Sequence, residues 1–582
     1  RKITFDKVDE KIAALENGMY TTLLYPEKGE LISLEKLSNE LAEIEHILIE
    51  EHQGIYIDEI RDLSHKVKLF GYHFASLDIR QDSRVHQGVF DTIMGHPDIQ
   101  QYIDHLPENY LALSLEERLA ILPKLVGKVP VEMFEDEMTR YTLGSIYAMQ
   151  SIQKTNGERA CHRYIISNCG SLENILQLFA LHRICGWETP NVDMIPLFET
   201  VDDLQASEEI MRRLYQNETY KAHLANRNNK QTIMLGFSDG TKDGGYIMAN
   251  WGIYQAKEML SDVSKEFDID VAFFDGRGGP PARGGGNTHE FYASLGDRIN
   301  ANDIQITIQG QTISSNFGTL DSSQFNLEQL LSSGIQNQVL DGHRITLADE
   351  DRKTLESLAD ISYKAYQDFK DHPQFVPYLE HMSTLKFYAK TNIGSRPSKR
   401  GNAKGLNFSD LRAIPFVGSW SQSKQNVPGF FGVGTALKVY EDNGDFDKVI
   451  ALYKNSPFFK TLVANSMMSL SKSFLGLTAY MEKDPVYGEF WSIIYNEYLL
   501  SKRLLLKLTG FETLMEDQKA GKKSIDIREE IVLPLLTIQQ YGLIKIQEMS
   551  KGDTPVSELQ KVYEKLVTRS LFGNINASRN SA

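Results

Sequence analysis

Residues 271–286 read VAFFDGRGGPPARGGG, in which a short apolar run leads directly into a glycine-rich loop. The run has the length and composition of a buried β-strand. The loop carries Arg277 and Arg283 among six glycines. Glycine lets a backbone approach an anion closely, and arginine forms paired hydrogen bonds with carboxylate or phosphate. The stretch therefore predicts a strand followed by an anion-binding loop, rather than a flexible loop or an RGG-like RNA-binding segment.

Short apolar segments of the same kind recur along the chain, and helix-like sequence separates many of them. The other six are residues 73–80, 164–167, 194–199, 232–237, 304–308 and 414–417. Buried strands that alternate with helices indicate an α/β protein with a parallel sheet. Polar or glycine-rich residues follow most of the strands, which favours a (β/α)₈ barrel of the TIM type. Seven strands are one short of eight, so we expect the missing strand to lie upstream.

Regions of helical sequence enclose this predicted barrel, so the protein is expected to be predominantly helical. The chain is interpreted as a helical segment at 1–70, the barrel strands, helices and catalytic loops at 71–430, and a C-terminal helical region at 431–582.

Two carboxylates follow predicted strands and form a candidate site for a divalent cation. Glu199 ends one strand, and Asp239 follows the next in the motif GFSDGTKDG at 236–244. Mg²⁺ and Mn²⁺ prefer oxygen ligands and keep waters or substrate in their remaining positions. Taken alone, either carboxylate could instead serve the start of a helix. Lys242 lies one short turn after Asp239.

Three further arginines stand in motifs that favour anion binding. Arg80 lies at the end of the first predicted strand, Arg396 in GSRPSKR at 394–400, and Arg412 in LRAIP at 411–415. Arg80 could instead form a structural ion pair with Asp78. A basic cluster within an acidic protein concentrates anions locally. Together with the carboxylates, these arginines indicate a site for a small substrate that carries both phosphate and carboxylate.

The composition limits the possible partners and location. The chain has 582 residues, 41% of them hydrophobic, and a net charge of −16, which disfavours general binding to nucleic acid or to an anionic membrane. Its apolar runs are too short to span a membrane. The three cysteines, Cys161, Cys169 and Cys185, lack metal-ligand spacing and predict buried free thiols in a reducing compartment. The chain begins at Arg1 rather than Met, so we expect upstream sequence to be missing.

The motifs resemble, in order and spacing, those of the phosphoenolpyruvate carboxylase family. They are DIRQDS at 78–83, FETVDDL at 198–204, GFSDGTKDG at 236–244, the glycine loop at 276–285, GSRPSKR at 394–400, LRAIP at 411–415 and the terminal RNSA at 579–582. The resemblance runs from about residue 70 to the end of the chain. It implies a lyase that converts phosphoenolpyruvate and bicarbonate to oxaloacetate and phosphate, fixing carbon dioxide and supplying the tricarboxylic acid cycle.

The resemblance also implies roles for individual residues. Glu199 and Asp239 would hold Mg²⁺ or Mn²⁺, and Arg80, Arg396 and Arg412 would bind the phosphoryl group. Arg277, with Gly278 and Gly279, would position bicarbonate or carboxyphosphate, and Lys242 would support the charge network. Aspartate or malate would inhibit by binding Arg283, Lys472, Arg528 and Asn580. The family further implies a cytoplasmic homotetramer.

Two departures from the family's pattern matter. The family's loop usually begins His-Gly-Arg-Gly-Gly, whereas Asp275 stands first here. The family's essential histidine lies in an upstream Thr-Ala-His-Pro-Thr segment, and neither His96 nor His372 stands in that context, so this chain alone is expected to be inactive. Two alternatives are a dikinase-type phosphotransferase, disfavoured by the lack of a P-loop signature, and a non-catalytic sensor of aspartate or malate.

Overall fold

The computed structural model describes residues 5–25, 32–308, 310–335, 346–388, 408, 411–549 and 557–578. The described chain is mostly helical. Its helices are α1 (Asp6–Leu24), α2 (Leu34–His52), α3 (Ile57–Phe70), α4 (Ser83–Met94), α5 (Leu115–Ile121), α6 (Glu137–Asn156), α7 (Leu172–Ile184), α8 (Val201–Gln216), α9 (Glu218–Asn226), α10 (Phe237–Gly244), α11 (Tyr246–Glu266), α12 (Thr288–Ala293), α13 (Gly310–Phe317), α14 (Leu320–Ile335), α15 (Asp349–Lys370), α16 (Phe375–Met382), α17 (Leu385–Tyr388), α18 (Ala413–Gln422), α19 (Val433–Asp442), α20 (Phe446–Asn455), α21 (Pro457–Ser471), α22 (Gly488–Thr509), α23 (Lys519–Met549) and α24 (Glu558–Ser578).

The strands form one parallel sheet and one small antiparallel pair. They are β1 (Asp78–Asp82), β2 (Ile103–Asp104), β3 (Val126–Gly127), β4 (Arg163–Ser167), β5 (Asp193–Phe198), β6 (Lys230–Leu235), β7 (Asp270–Asp275) and β8 (Ile304–Ile306). The parallel sheet has the order β1-β4-β5-β6-β7-β8, and β2 pairs with β3. The predicted α/β class with parallel strands is confirmed, and six of the seven predicted strands are present. The barrel itself stays a prediction.

The seventh predicted strand, residues 414–417, is wrong, because this segment lies in helix α18. Pro415 sits in the first turn of the helix, where a missing N–H costs nothing. Phe416, Val417 and Trp420 are buried on one side of the helix. A short apolar run does not distinguish a buried helix from a buried strand, and the helical spacing to Trp420 decides the structure here.

The chain divides into two compact units. The first comprises residues 1–167, 173–195 and 222–228, and the second comprises residues 168–172, 196–221 and 229–582. The three regions predicted from the sequence stay a prediction. Among the described residues, no helix combines the length and apolar character that crossing a membrane requires.

Buried cysteines and histidines stay neutral in the folded chain; Cys161, Cys185, His86 and His182 lie in the first unit, and Cys169 lies in the second. The three cysteines are buried and free, as predicted, and burial raises the pKa of the Cys169 and Cys185 thiols far above its usual range. His86 and His182 are also fully buried, on α4 and α7. His86 shares a hydrogen bond of 3.0 Å with the Tyr164 hydroxyl. Burial lowers the pKa of His86 to about 3 and that of His182 to about 4.

These histidines make the first unit sensitive to acid. Because both stay neutral in the folded unit while an unfolded histidine titrates near 6.5, their contribution to stability is complete above pH 6.5 and falls as the pH drops below it. We expect each to cost about 2 kcal/mol of unfolding free energy by pH 5. Amide hydrogen exchange of α4 and α7 between pH 7 and 5 measures this fall in unfolding free energy. The His182→Gln variant should show a weaker dependence of unfolding free energy on pH. An unchanged slope in that variant would contradict the assignment.

Candidate active site

Glu199 lies directly after β5 in the second unit. The parallel register pairs Phe198 with Leu235 of β6, so the carboxyl ends of the two strands coincide. The Glu199 side chain is only 7% exposed, and its Oε2 accepts a hydrogen bond of 2.8 Å from the Asn168 N–H. A buried carboxylate is thus fixed at the end of the sheet from which loops emerge.

Asp239 is placed close to Glu199 by the turn that follows β6. The Gly236 N–H donates a hydrogen bond of 2.9 Å to the Phe198 carbonyl, and α10 begins at the next residue. A Cβ built on Gly236 would lie 3.1 Å from the Glu199 Cγ, so the two chain segments are in direct contact. Asp239 is half-buried in the first turn of α10. The structure therefore brings both predicted carboxylates to neighbouring strand ends.

This pair of carboxylates suits a hard divalent cation. Among the described residues, no group of three or more His, Cys, Asp or Glu side chains could hold a metal ion. Mg²⁺ does not need such a cluster, because it is commonly bound through one or two carboxylates, with waters and substrate oxygens completing its shell. Two oxygen ligands at adjacent strand ends therefore fit Mg²⁺ or Mn²⁺.

The glycine loop follows β7 and closes on itself through backbone hydrogen bonds. The Gly276 N–H bonds to the Leu235 carbonyl at 2.9 Å, which starts the loop beside the end of β6. The Gly278 N–H then reaches the Arg283 carbonyl at 2.6 Å. Gly284 has a φ of +77°, and a Cβ there would lie 2.5 Å from the Phe237 ring. Glycine is thus required at 284 by both conformation and space.

The two loop arginines are buried within the second unit. The Arg277 guanidinium bonds to the Gly284 carbonyl and stacks 4.2 Å from the centre of the Phe291 ring. The Arg283 Nε donates to the Ser238 hydroxyl at 3.2 Å. Burial lowers the pKa of Arg283 to about 10, and the negative charge of Asp239 opposes that change. Arg283 therefore lies close enough to Asp239, a candidate metal ligand, for the two charges to interact.

Lys242 connects this region to the segment that carries Arg412. Its ammonium donates a hydrogen bond of 2.6 Å to the Leu411 carbonyl and lies 4.9 Å from the centre of the Phe408 ring. Arg412 is half-buried and precedes α18 as its N-cap residue. Lys242 is thus in contact with the residue next to Arg412, which agrees with a supporting position in a common site.

Lys472 and Arg528, predicted to bind an inhibitor, also lie close together. Burial lowers the pKa of Lys472 to about 8, and the positive charges of Lys424 and Arg528 lower it further. Lys424 itself donates a hydrogen bond of 2.6 Å to the Glu529 carboxylate. A cluster of cations next to a single carboxylate favours an anionic ligand.

Of the three remaining predicted site residues, one lies in the first unit and two lie outside the described residues. Arg80 lies on β1 in the first unit, with its guanidinium 3.6 Å from the Asp78 carboxylate. Arg396 and Asn580 lie outside the described residues.

The residues that surround Asp275 were not predicted from the sequence. Lys257 of α11 forms an ion pair of 2.8 Å with Asp275, and Tyr292 donates to the same carboxylate oxygen at 2.7 Å. One sequence signal could have indicated Lys257, since it follows Ile253 and precedes Leu260 on the apolar face of an amphipathic helix. A lysine in such a position needs a buried partner.

The fold and this arrangement define an α/β protein that gathers carboxylates and buried arginines at the carboxyl ends of parallel strands, where such proteins bind ligands. A sequence model of the phosphoenolpyruvate carboxylase family matches residues 4–577. The phosphoenolpyruvate carboxylase of Corynebacterium diphtheriae is 32% identical over 498 residues, which cover 83% of this chain and 55% of that protein. The chain belongs to the phosphoenolpyruvate carboxylase family. It spans about half the length of this relative.

The close approach at Gly284 predicts a measurable loss of stability. Gly284→Ala should destabilise the second unit by about 3 kcal/mol, because backbone strain and a clash with Phe237 add. Gly444→Ala is a matched control, since Gly444 has nearly the same φ of +76° with nothing within 4 Å. The control should cost only about 1 kcal/mol in thermal or urea unfolding. Equal losses in both variants would contradict the close packing of the loop.

Proposed function

We propose that the whole protein is a phosphoenolpyruvate carboxylase, which converts phosphoenolpyruvate and bicarbonate to oxaloacetate and phosphate. The observation that carries the proposal is the placement of Glu199, Asp239 and the arginine-bearing glycine loop at adjacent strand ends in one unit. Phosphate, carboxylate and bicarbonate are all anions, and a site built from guanidinium groups beside a pair of carboxylates for a cation suits them. Family membership supports the same reaction.

The proposed roles of the site residues follow from their charges: the carboxylates hold the metal ion, and the arginines bind the phosphoryl group. Mg²⁺ or Mn²⁺ held by Glu199 and Asp239 would supply positive charge for the enolate oxygen of pyruvate. Arg80, Arg396 and Arg412 bind the phosphoryl group and stabilise the charge that moves during its transfer to bicarbonate. These three assignments rest on the motifs that carry them.

The glycine loop binds bicarbonate and the carboxyphosphate that forms from it. Arg277, with Gly278 and Gly279, positions bicarbonate and the carboxyphosphate formed from it. A glycine loop closed over the substrate would also exclude water, which would otherwise protonate the enolate. Lys242 supports this charge network through its contact beside Arg412.

Regulation by aspartate or malate is part of the proposal. An inhibitor carboxylate would bind Lys472 and Arg528, together with Arg283 and Asn580. Asn465 of α21 contacts the glycine loop, with its Nδ2 3.5 Å from the Gly285 carbonyl, and Lys472 is the C-cap residue of the same helix. An inhibitor that held Arg283 would withdraw the loop from the substrate, and by linkage substrate would weaken inhibitor binding.

The remaining features complete the proposal. The six parallel strands belong to a (β/α)₈ barrel, which their near-sequential order supports. The protein works in the cytoplasm as a homotetramer and supplies oxaloacetate to the tricarboxylic acid cycle. Its three buried free thiols agree with a reducing compartment.

The proposed reaction is tested by oxaloacetate formation from phosphoenolpyruvate and Mg²⁺, with and without bicarbonate. The protein encoded by the complete reading frame should form oxaloacetate only when bicarbonate is present, whereas the 582-residue chain alone should form none. No product from the complete protein would overturn the proposal. Binding of aspartate or malate without catalysis would then indicate the sensor.

The metal assignment predicts a specific defect. Asp239→Asn removes one anionic ligand and should raise the Mg²⁺ concentration needed for half-maximal activity about tenfold or more, with little change in unfolding temperature. Asp268→Asn is the matched control, because this exposed residue precedes β7 at the opposite end of the strand from the glycine loop. An unchanged Mg²⁺ requirement in Asp239→Asn would contradict its assignment as a ligand.

A further inference from the structure

Asp275 ends β7 at the point where the glycine loop begins, and its side chain is fully buried. Its Oδ2 accepts hydrogen bonds from the Lys257 ammonium at 2.8 Å and the Tyr292 hydroxyl at 2.7 Å. Its Oδ1 has no hydrogen-bond partner among the residues that the structure describes. A buried carboxylate with one unpaired oxygen is costly unless a nearby cation offsets its charge.

Lys257 supplies that cation from the middle of α11. The side chain is 2% exposed, and its ammonium lies between 5.3 and 5.8 Å from the ring centres of Phe273, Phe291 and Tyr292. Burial lowers the pKa of Lys257, and Asp275 opposes that change. The ammonium is therefore enclosed by aromatic faces and one carboxylate, a geometry that fixes its position.

The same aromatic rings hold the loop arginine. The Arg277 guanidinium carbon lies 4.2 Å from the centre of Phe291 and 5.5 Å from that of Tyr292. Tyr292 is thus fixed at its hydroxyl by Asp275 while its ring faces Arg277. A continuous set of contacts runs from Lys257 through Asp275 and Tyr292 to Arg277, and it joins α11, β7, α12 and the loop.

We propose that Lys257 is a positioning residue for bicarbonate handling: its ion pair with Asp275 fixes the Tyr292 and Phe291 rings that hold Arg277 at the start of the glycine loop. The role of Arg277 in this inference rests on the proposed function. In the family's usual loop a histidine stands where Asp275 stands here, so the Lys257–Asp275 ion pair occupies the position at which that loop carries a histidine. Removal of either partner alone leaves a buried charge unpaired.

The activity test separates positioning from general stability. In the protein from the complete reading frame, Lys257→Met should raise the KM for bicarbonate about tenfold and change the KM for phosphoenolpyruvate less than about twofold, since only Arg277 is displaced. Lys257→Arg should restore most of the loss, because it keeps the cation. Lys265→Met, an exposed lysine in the last turn of the same helix, is the matched control. Wild-type KM values in Lys257→Met would overturn the inference.

A charge-balanced variant covers the case in which Lys257→Met fails to fold. Lys257→Met combined with Asp275→His leaves no unpaired buried ion and restores the family's usual histidine. This double variant should be more active than Asp275→His alone, in which the ammonium has lost its partner. Equal or lower activity of the double variant would overturn the inference.

Limited proteolysis with an arginine-specific protease gives a readout that does not need activity. The wild-type chain should resist cleavage after Arg277 and Arg283, both of which are buried. Lys257→Met should be cut there first, at a temperature where Lys265→Met stays protected. Absence of catalysis in the wild-type protein would defeat the proposed function, whereas unchanged protection of the loop in Lys257→Met would defeat the role of Lys257.

Discussion

Two backbone hydrogen bonds between neighbouring strand ends determine the geometry of the candidate site. The Gly236 N–H bonds to the Phe198 carbonyl, and the Gly276 N–H bonds to the Leu235 carbonyl. Both follow from the parallel registers of β5, β6 and β7, which end at the same edge of the sheet. The residues that directly follow these strands therefore lie together at this edge of the sheet. A Cβ at 236 would lie 3.1 Å from the Glu199 Cγ, which is closer than an ordinary packing contact, so Gly236 lets the two segments approach closely.

Charge compensation then allows a protein with a net charge of −16 to present arginines to anionic ligands. Arg283 lies within the field of Asp239, and Lys257 neutralises Asp275 directly below the loop. Because Arg283, Lys257 and Asp275 are buried, their interactions are screened less than those of surface ion pairs. The stability of the fold is therefore sensitive to single substitutions at these positions, because a buried charge that has lost its partner is far less stable than the ion pair.

Much of this organisation could be predicted from the sequence. Six strands were recognised from apolar runs followed by polar residues, and the motifs placed Glu199, Asp239 and Arg277 at their ends. The segment 414–417 was mistaken for a strand, because four apolar residues fit either element until the burial of Trp420 is known. The partnership of Lys257 with Asp275 could not be predicted, since it depends on how α11 packs against β7 across 18 residues of chain.

The pairing of Glu199 with Asp239 as metal ligands is the central claim, and crystals grown with Mn²⁺ test it most directly. Anomalous diffraction locates the ion without reference to any assumed reaction. The account predicts one strong peak within bonding distance of carboxylate oxygens from both residues, at the edge of the sheet beside the glycine loop. A peak bound to other side chains, with these two carboxylates bearing no metal, would contradict it.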